Sequence, residues 1–570
     1  MARVATLILW LLAAAVATGQ ASFTDVTDSA GVVHQYRVHE GLFGGGACVI
    51  DFNQDGLEDV YLTGGLADDQ LLRNNGDGTL TDVFAGSGLE LTRHFVTQGG
   101  VTADVNRDGY ADLFVTTITS RDSLQIIPRA RNLLFLGSAA GTFRDATEAF
   151  GLYPLYSFST GASFGDVNQD GWPDLYVGNY FVSYEEKLDH ISDATIVGAQ
   201  QTARGYLLLN DQGRRFVNVY ADYGLDHRGF GFGAVFTDYD NDGDQDLLVN
   251  HDFGYKATPD LLLRNEYPRK RFTDVAEEEG LDLRINSMGA AVGDYDNNGY
   301  LDYYVTNIKF NRFMVADPGG EERFVDRTKE LGMTYVSISW GANFADYDQD
   351  GDLDLFVSNG DLNPNCVPMA NFYFDNLAGE RFEERARATG LADYGIGRGS
   401  VVFDLENDGD LDLLAVCQGP VLPGYPVGST TRLWRNDTQG GGNFLKVRLR
   451  GTSNTPTALG ARAVAYVKGV PLLREIDGGS SSHLSHNSNL LHFGLGAAER
   501  VDSLLIRWNG GQEQWVYELK AGQLVTVEQE VAAPSTAHSG WPMRYWLTGI
   551  GLVAVGLLAY FFLVQRQRTP

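Results

Sequence analysis

Seven copies of one nine-residue acidic loop limit what this chain can fold into. Each runs Asp, any residue, Asn/Asp/Glu, any residue, Asp/Asn, Gly, two more residues, then Asp. The side chains at positions 1, 3, 5 and 9 are the candidate metal ligands. They are Asp51, Asn53, Asp55 and Asp59 in loop one, Asp104, Asn106, Asp108 and Asp112 in loop two, and Asp166, Asn168, Asp170 and Asp174 in loop three. Loop four supplies Asp238, Asp240, Asp242 and Asp246, and loop five Asp294, Asp296, Asn298 and Asp302. Loop six supplies Asp346, Asp348, Asp350 and Asp354, and loop seven Asp404, Glu406, Asp408 and Asp412. The starts are 52 to 72 residues apart, a period that signals an array or a propeller.

This donor set suits calcium, a hard cation that takes about six to eight oxygens at roughly 2.3–2.6 Å. The glycine at position 6 supplies the positive φ that lets the chain turn back on the ion. An EF-hand would need a Glu at position 12 and flanking helices. Here β-like runs follow the loops instead, such as Leu247-Leu248-Val249 and Leu355-Phe356-Val357. The loops are therefore hairpin connections, and up to seven Ca²⁺ are expected. Asn298 and Glu406 depart from the commonest pattern and predict weaker sites in loops five and seven.

The charge follows from the loops. The chain has 570 residues and a net charge of −31, and the ligand positions hold 24 carboxylates. An acidic surface argues against nucleic acid as a partner. Clustered carboxylates also repel one another without a counter-ion, so the fold is expected to depend on the metal. Three cysteines make no disulfide framework. Cys48 and Cys417 sit in apolar runs and read as buried thiols, and a Cys366–Cys417 pair is the alternative.

The ends predict topology. Residues 1–21 read as a secretory signal peptide, with Arg3 before an apolar run. Residues 545–564 are uncharged and long enough to span a ~30 Å hydrocarbon core. Arg566 and Arg568 follow, and mark residues 565–570 as a cytoplasmic tail. Residues 532–544 are a polar linker. The expected placement is single-pass, with the bulk extracellular or periplasmic.

Between the metal loops, four short strands recur in every unit of about 50 residues, which is the make-up of a propeller blade. Six units end in a tail such as Phe272-Thr273-Asp274 to Gly280-Leu281. The seventh tail is missing after loop seven and stands at the mature N-terminus, Phe23-Thr24-Asp25 to Gly31-Val32. The N-terminal strand is therefore expected to close blade seven, giving a seven-bladed propeller over 22–436.

These repeats resemble the FG-GAP/VCBS repeats of integrin α-chain propellers. That likeness implies that the metal loops share one face of the disc. It also implies that connections between strands two and three, and from each tail to the next blade, lie on the other face. Residues 443–531 form a different β pattern that resembles the ASPIC/UnbV domain. The likeness rests on Asn443-Phe444-Leu445-Lys446, Leu459-Gly460-Ala461-Arg462, Gly478-Gly479-Ser480 and His492-Phe493-Gly494-Leu495-Gly496. The combination resembles the cartilage acidic protein family. It implies an all-β protein with a propeller, a small β domain and one C-terminal transmembrane helix. It also implies extracellular calcium binding tied to adhesion, without an enzyme activity. His483, His486 and His492 are read as loop histidines, with a transition-metal site as the alternative.

The leading functional expectation is a calcium-stabilised binding or adhesion module that takes a protein or glycan on the face opposite the metals. Arg93, His94, His227, Arg228, Arg284 and Arg398, with Tyr184 and Trp340, are the candidate contacts. Tyr180, Phe181 and Tyr184 begin a long insertion over 180–205, read as an interaction loop. The alternatives are a subunit of a membrane complex and a propeller-type carbohydrate-active enzyme. The enzyme is disfavoured because the carboxylate clusters are committed to metal and no H-E-x-x-H motif occurs. One glycosylation sequon occurs, at Asn436.

Overall fold

The structure, a computed structural model, describes residues 20–38, 43–121, 130–182, 201–362, 367–421, 428–479 and 481–531. Seven antiparallel sheets contain the metal loops; six have four strands and one has a fifth, short strand added. The fourth sheet shows the pattern. Phe230–Thr237, Asp246–Asp252, Leu261–Asn265 and Phe272–Asp274 pair in order, with Leu247 opposite both Phe236 and Leu263. The second strand is flanked on both sides and wholly buried, so its run of Leu247, Leu248 and Val249 is continuous rather than alternating. The fourth strand is three residues long and half exposed, as suits an edge.

The N-terminal strand does close the last sheet. Phe23, Thr24 and Asp25 pair antiparallel with Asn436, Arg435 and Trp434. The first strand of each sheet packs against the first strand of the next, and Gly397–Phe403 packs back on Ala47–Ile50. The ring is therefore continuous and propeller-like. Five of these inner strands carry a register shift, for example between Gly231 and Ala234.

Residues from Asn443 onward form two further sheets. One orders Leu491–Gly496, Asn443–Arg450 and Gln523–Glu528, the last two parallel. The other orders Val470–Glu475, Arg462–Val467, Arg500–Arg507 and Glu513–Lys520. This C-terminal module shares a core with the ring. Leu445, Trp508 and Val501 belong to one apolar cluster with Val101, Phe164 and Leu175.

Two expectations change here. Asn436 is 3% exposed, and its side-chain amide donates to the Tyr347 and Leu411 carbonyls, so the sequon is committed to packing. Tyr180 and Phe181 are buried as well, with the Tyr180 hydroxyl donating to Asp252 at 2.5 Å. They anchor the insertion rather than project from it. Cys48 and Cys417 are buried free thiols. The signal segment 1–19, residues 183–200 with Tyr184, Cys366 and the apolar run 545–564 lie outside the described residues. No described helix is long and apolar enough to cross a membrane.

Candidate metal centres and the two faces of the ring

In all seven loops the first Asp accepts from the backbone N–H of position 6. In loops two to seven it accepts from position 5 as well, whereas in loop one Asp55 N donates to Asn53 Oδ1. In loop three, Asp170 N and Gly171 N each lie 3.0 Å from Asp166 oxygens. The position 6 glycines have φ from 82° to 106°. Position 4 is also left-handed throughout, in Gln54, Arg107, Gln169, Asn241, Asn297, Gln349 and Asn407. This second left-handed residue was not anticipated. Its signal was the Asn and Gln enrichment there, since Asn tolerates that region better than most residues.

Position 9 has a double role. Asp112 accepts Val105 N and Gly137 N, both at 2.9 Å. Asp412 accepts Leu405 N at 2.7 Å and Asn436 N at 2.8 Å. The last Asp thus ties its own loop to the third strand of its sheet. Third-strand asparagines, which the sequence reading left without a role, continue the tie to the preceding sheet. Asn74, Asn210, Asn265, Asn376 and Asn436 donate to the position 2 carbonyls Leu405, Val105, Val167, Tyr295 and Tyr347.

The donor set fits a divalent cation. Asp238, Asp240 and Asp242 each place a carboxylate oxygen within 4.8 Å of the others, as do Asp294, Asp296 and Asp302, and Asp346, Asp348 and Asp350. Oxygens on opposite sides of a calcium ion stand about that far apart, given bonds of roughly 2.4 Å. Asp51 Oδ1 and Asp246 Oδ2 are buried without a hydrogen-bond donor. Burial, then neighbouring carboxylates, pushes Asp348 up to about 8 and Asp346 and Asp166 to about 7. Carboxyls held this far above their ordinary range are poorly compensated when ionised, and a bound cation removes that penalty.

The C-terminal module sits on these loops. Lys446 Nζ lies 2.6 Å from Asp404, and Arg462 Nη1 lies 3.5 Å from Asp238. Asn509 Nδ2 donates to the Asp166 carbonyl at 3.0 Å, and Gly510 N to the Gly243 carbonyl at 2.9 Å. A connecting segment of the module, residues 481–489, packs against the inner strands of the ring. His486 N donates to Ala47 O and Val49 N to His486 O, both at 2.9 Å. Its His483 packs on Trp340 and Phe232 at ring-centroid distances of 4.8 and 5.6 Å. Inner-strand glycines make the room. A Cβ on Gly46 would lie 2.0 Å from Leu484 O, and one on Gly399 would lie 2.2 Å from Ser485 Oγ.

This arrangement settles the histidines. His483 Nδ1 bonds Met288 O at 2.7 Å, His486 Nδ1 accepts Thr102 N at 3.0 Å, and His492 Nε2 bonds Gly409 O at 2.8 Å. Burial pulls His483 down to about 3 and His492 to about 4, so both are neutral packing groups. They belong to no group of convergent metal donors among the described residues.

The predicted partner residues separate. Trp340 and Arg398 are each 1% exposed. The Arg398 guanidinium stacks on the Trp340 ring at 4.2 Å and donates to Gly360 O and Gln418 Oε1. They fill the channel and are not surface contacts. Arg93 pairs with Asp68 at 3.0 Å, Arg284 with Asp282 at 3.0 Å, and His227 with Asp274 at 3.7 Å. His94 and Arg228 are exposed. One pentapeptide, Gly161-Ala162-Ser163-Phe164-Gly165, has the spacing of a serine-hydrolase elbow. It lies inside the inner strand Ser159–Gly165, where Ser163 is wholly buried and accepts Phe236 N at 3.4 Å, so it is structural.

Family comparison agrees with this architecture. FG-GAP-like repeats match at 51–115, 294–357 and 346–415, and an FG-GAP repeat at 158–192. ASPIC and UnbV matches 451–534. This is an FG-GAP-repeat chain with an ASPIC and UnbV domain. It is similar to cartilage acidic protein 1 of Mus musculus, with 26% identity over 546 residues, 90% of this chain and 78% of the mouse protein. Against cartilage acidic protein 1 of Xenopus tropicalis it is 28% identical over 320 residues, 55% of this chain and 46% of that protein, so this match spans under half the relative's length. Among solved structures it is similar to BBS1N in complex with ARL6DN, soaked with mercury (10% identity, 69% of this chain, 93% of that chain, TM-score 0.39).

Proposed function

We propose that this FG-GAP-repeat chain is a non-enzymatic binding module outside the cytoplasm, stiffened by calcium in its loops and anchored by residues 545–564. Its partner, a protein or a glycan, docks on the face opposite the metal loops. The observation that carries this reading is the contrast between the faces. The metal face is occupied by the chain's own C-terminal module. The other face presents large apolar tips on its connecting segments: Tyr153, Tyr156, Tyr255, Phe310, Tyr335 and Tyr394 are all at least 37% exposed. Aromatic side chains with one wet end are the usual anchors of recognition surfaces.

Calcium, where bound, supplies positive charge that draws the loop carboxylates together. The chain contributes the fixed backbone N–H donors that hold each first Asp, and the ties from position 9 to the third strand. On the open face, Tyr156, Phe181, Arg204, Tyr206 and Arg228 line a hollow of about 230 Å³. Two guanidiniums beside aromatic rings suit a carboxylated ligand.

The test joins metal content to ligand binding. Full-length protein is measured for bound calcium, then titrated on immobilised uronic-acid polysaccharide beside a neutral one. The reading expects several calcium ions per chain and binding that weakens in Arg204→Ala/Arg228→Ala. Metal-free protein that melts at the same temperature with and without a chelator overturns the calcium part. Wild-type binding by that variant and by Tyr335→Ser/Tyr394→Ser overturns the assignment of the face.

A further inference from the structure

Loop seven differs from the other acidic loops in a way its sequence hides. Asp404, Glu406, Asp408 and Asp412 make it one of the loops with a carboxylate at every ligand position. Among the described residues, loops four, five and six bring three carboxylates into a common site; loops one to three, each with Asn at position 3, do not, and neither does loop seven, although it is as acidic as four and six. What sets loop seven apart is a cation already in place. Lys446 Nζ lies 2.6 Å from Asp404 Oδ2 and 2.5 Å from Asn407 Oδ1. Both charged side chains are almost fully buried, at 5% and 2% exposure. Glu406 is drawn the other way, towards Arg435 at 3.7 Å. The module also packs on the turn of this loop: a Cβ on Gly409 would lie 1.9 Å from the Phe444 ring, and His492 holds the Gly409 carbonyl at 2.8 Å, while Asn407 and Asp408 stay exposed.

Loop four is the control within the molecule. Arg462 also reaches its first Asp, but at 3.5 Å, and Glu475 takes its charge at 2.6 Å. Its three carboxylates still converge. Lys446 has no second carboxylate in any described ion pair; the buried Glu58, which accepts Asp404 N at 3.0 Å, also feels its charge.

We propose that the Lys446 ammonium is the resident cation of loop seven, so that this loop takes no calcium and instead latches the C-terminal module to the ring. The inference rests on the calcium reading of the other loops. A buried ion pair with good geometry does for one loop what a metal does for the rest, and breaking it from one side leaves a buried charge.

Calcium per chain, by native mass spectrometry of the full-length protein, tests this in four forms: wild type, Asp346→Asn, Asp404→Asn and Lys446→Met. Asp346→Asn, in a loop whose carboxylates converge, should lose one ion. Asp404→Asn should lose none, and its melting temperature should fall equally with and without a chelator. Lys446→Met should gain one ion. If Asp404→Asn fails to fold, Asp404→Asn/Lys446→Met removes both charges at similar volume and should keep the wild-type count. Seven ions in the wild type, or one ion lost on changing Asp404 alone or with Lys446, overturns the proposal. If Asp346→Asn loses none and the wild type holds none, the calcium reading itself fails, and this proposal with it.

Discussion

The two faces of the ring solve opposite problems. One gathers two dozen carboxylates, whose burial and mutual repulsion disfavour folding, and answers them with backbone donors, a covering module and sites fit for cations. The other has no such charge to manage and leaves tyrosines and a phenylalanine in water. The metal face is thus committed to the chain's own packing, and the opposite face keeps aromatic side chains exposed. That division can be broken experimentally, and the effects should be graded.

Metal removal should act most. A site filled at 1,000 times its Kd contributes about 4 kcal/mol, so stripping several sites should cost more than most domains have in reserve. Calorimetry with and without a chelator should show a large drop in Tm, or loss of the transition altogether.

Next comes the packing of segment 481–489 on the inner strands. Gly46→Val places a side chain where Leu484 O already stands, and Trp340→Ala leaves a cavity under Arg398. Each should cost about 3–5 kcal/mol. Denaturant unfolding checks the size, and proteolysis between the ring and residue 443 checks whether the module has come away.

A pH titration of the metal-free protein sharpens the electrostatic side. Asp348 and Asp59, pushed up to about 8 mainly by burial, bind protons more tightly folded than unfolded. Their contribution is present below about pH 4, the ordinary carboxylate value, and is lost as pH rises through about 8. Metal-free protein should therefore gain stability as pH falls from 8 towards 5. The calcium-loaded protein should lose it, because protons compete with the ion. Parallel curves for the two forms would contradict the account.

The smallest effect belongs to the open face. Tyr394→Ser should change stability by under about 0.5 kcal/mol, since Tyr394 is 48% exposed. Its consequence should appear only in partner affinity.

Much of this was legible in the chain itself. The nine-residue loops, their glycines and the orphan tail at Phe23 specify hairpins, sheets and the closing strand, because turn chemistry and strand pairing act over a few residues and repeat. The same logic named candidate ligands in all seven loops, and loops four, five and six bring three carboxylates together. What sequence could not deliver was the state of each loop. Loops six and seven read almost alike, yet Lys446 lies some forty residues past Asp404 and reaches it only once the module docks. Trp340 and Arg398 looked like a basic, aromatic rim, and only packing placed them inside the channel beside His483. Local pattern decided what this protein is built from. Which loop meets a lysine, which face is covered and which aromatics stay in water depended on contacts between segments far apart in the chain, and those are set by the tertiary structure alone.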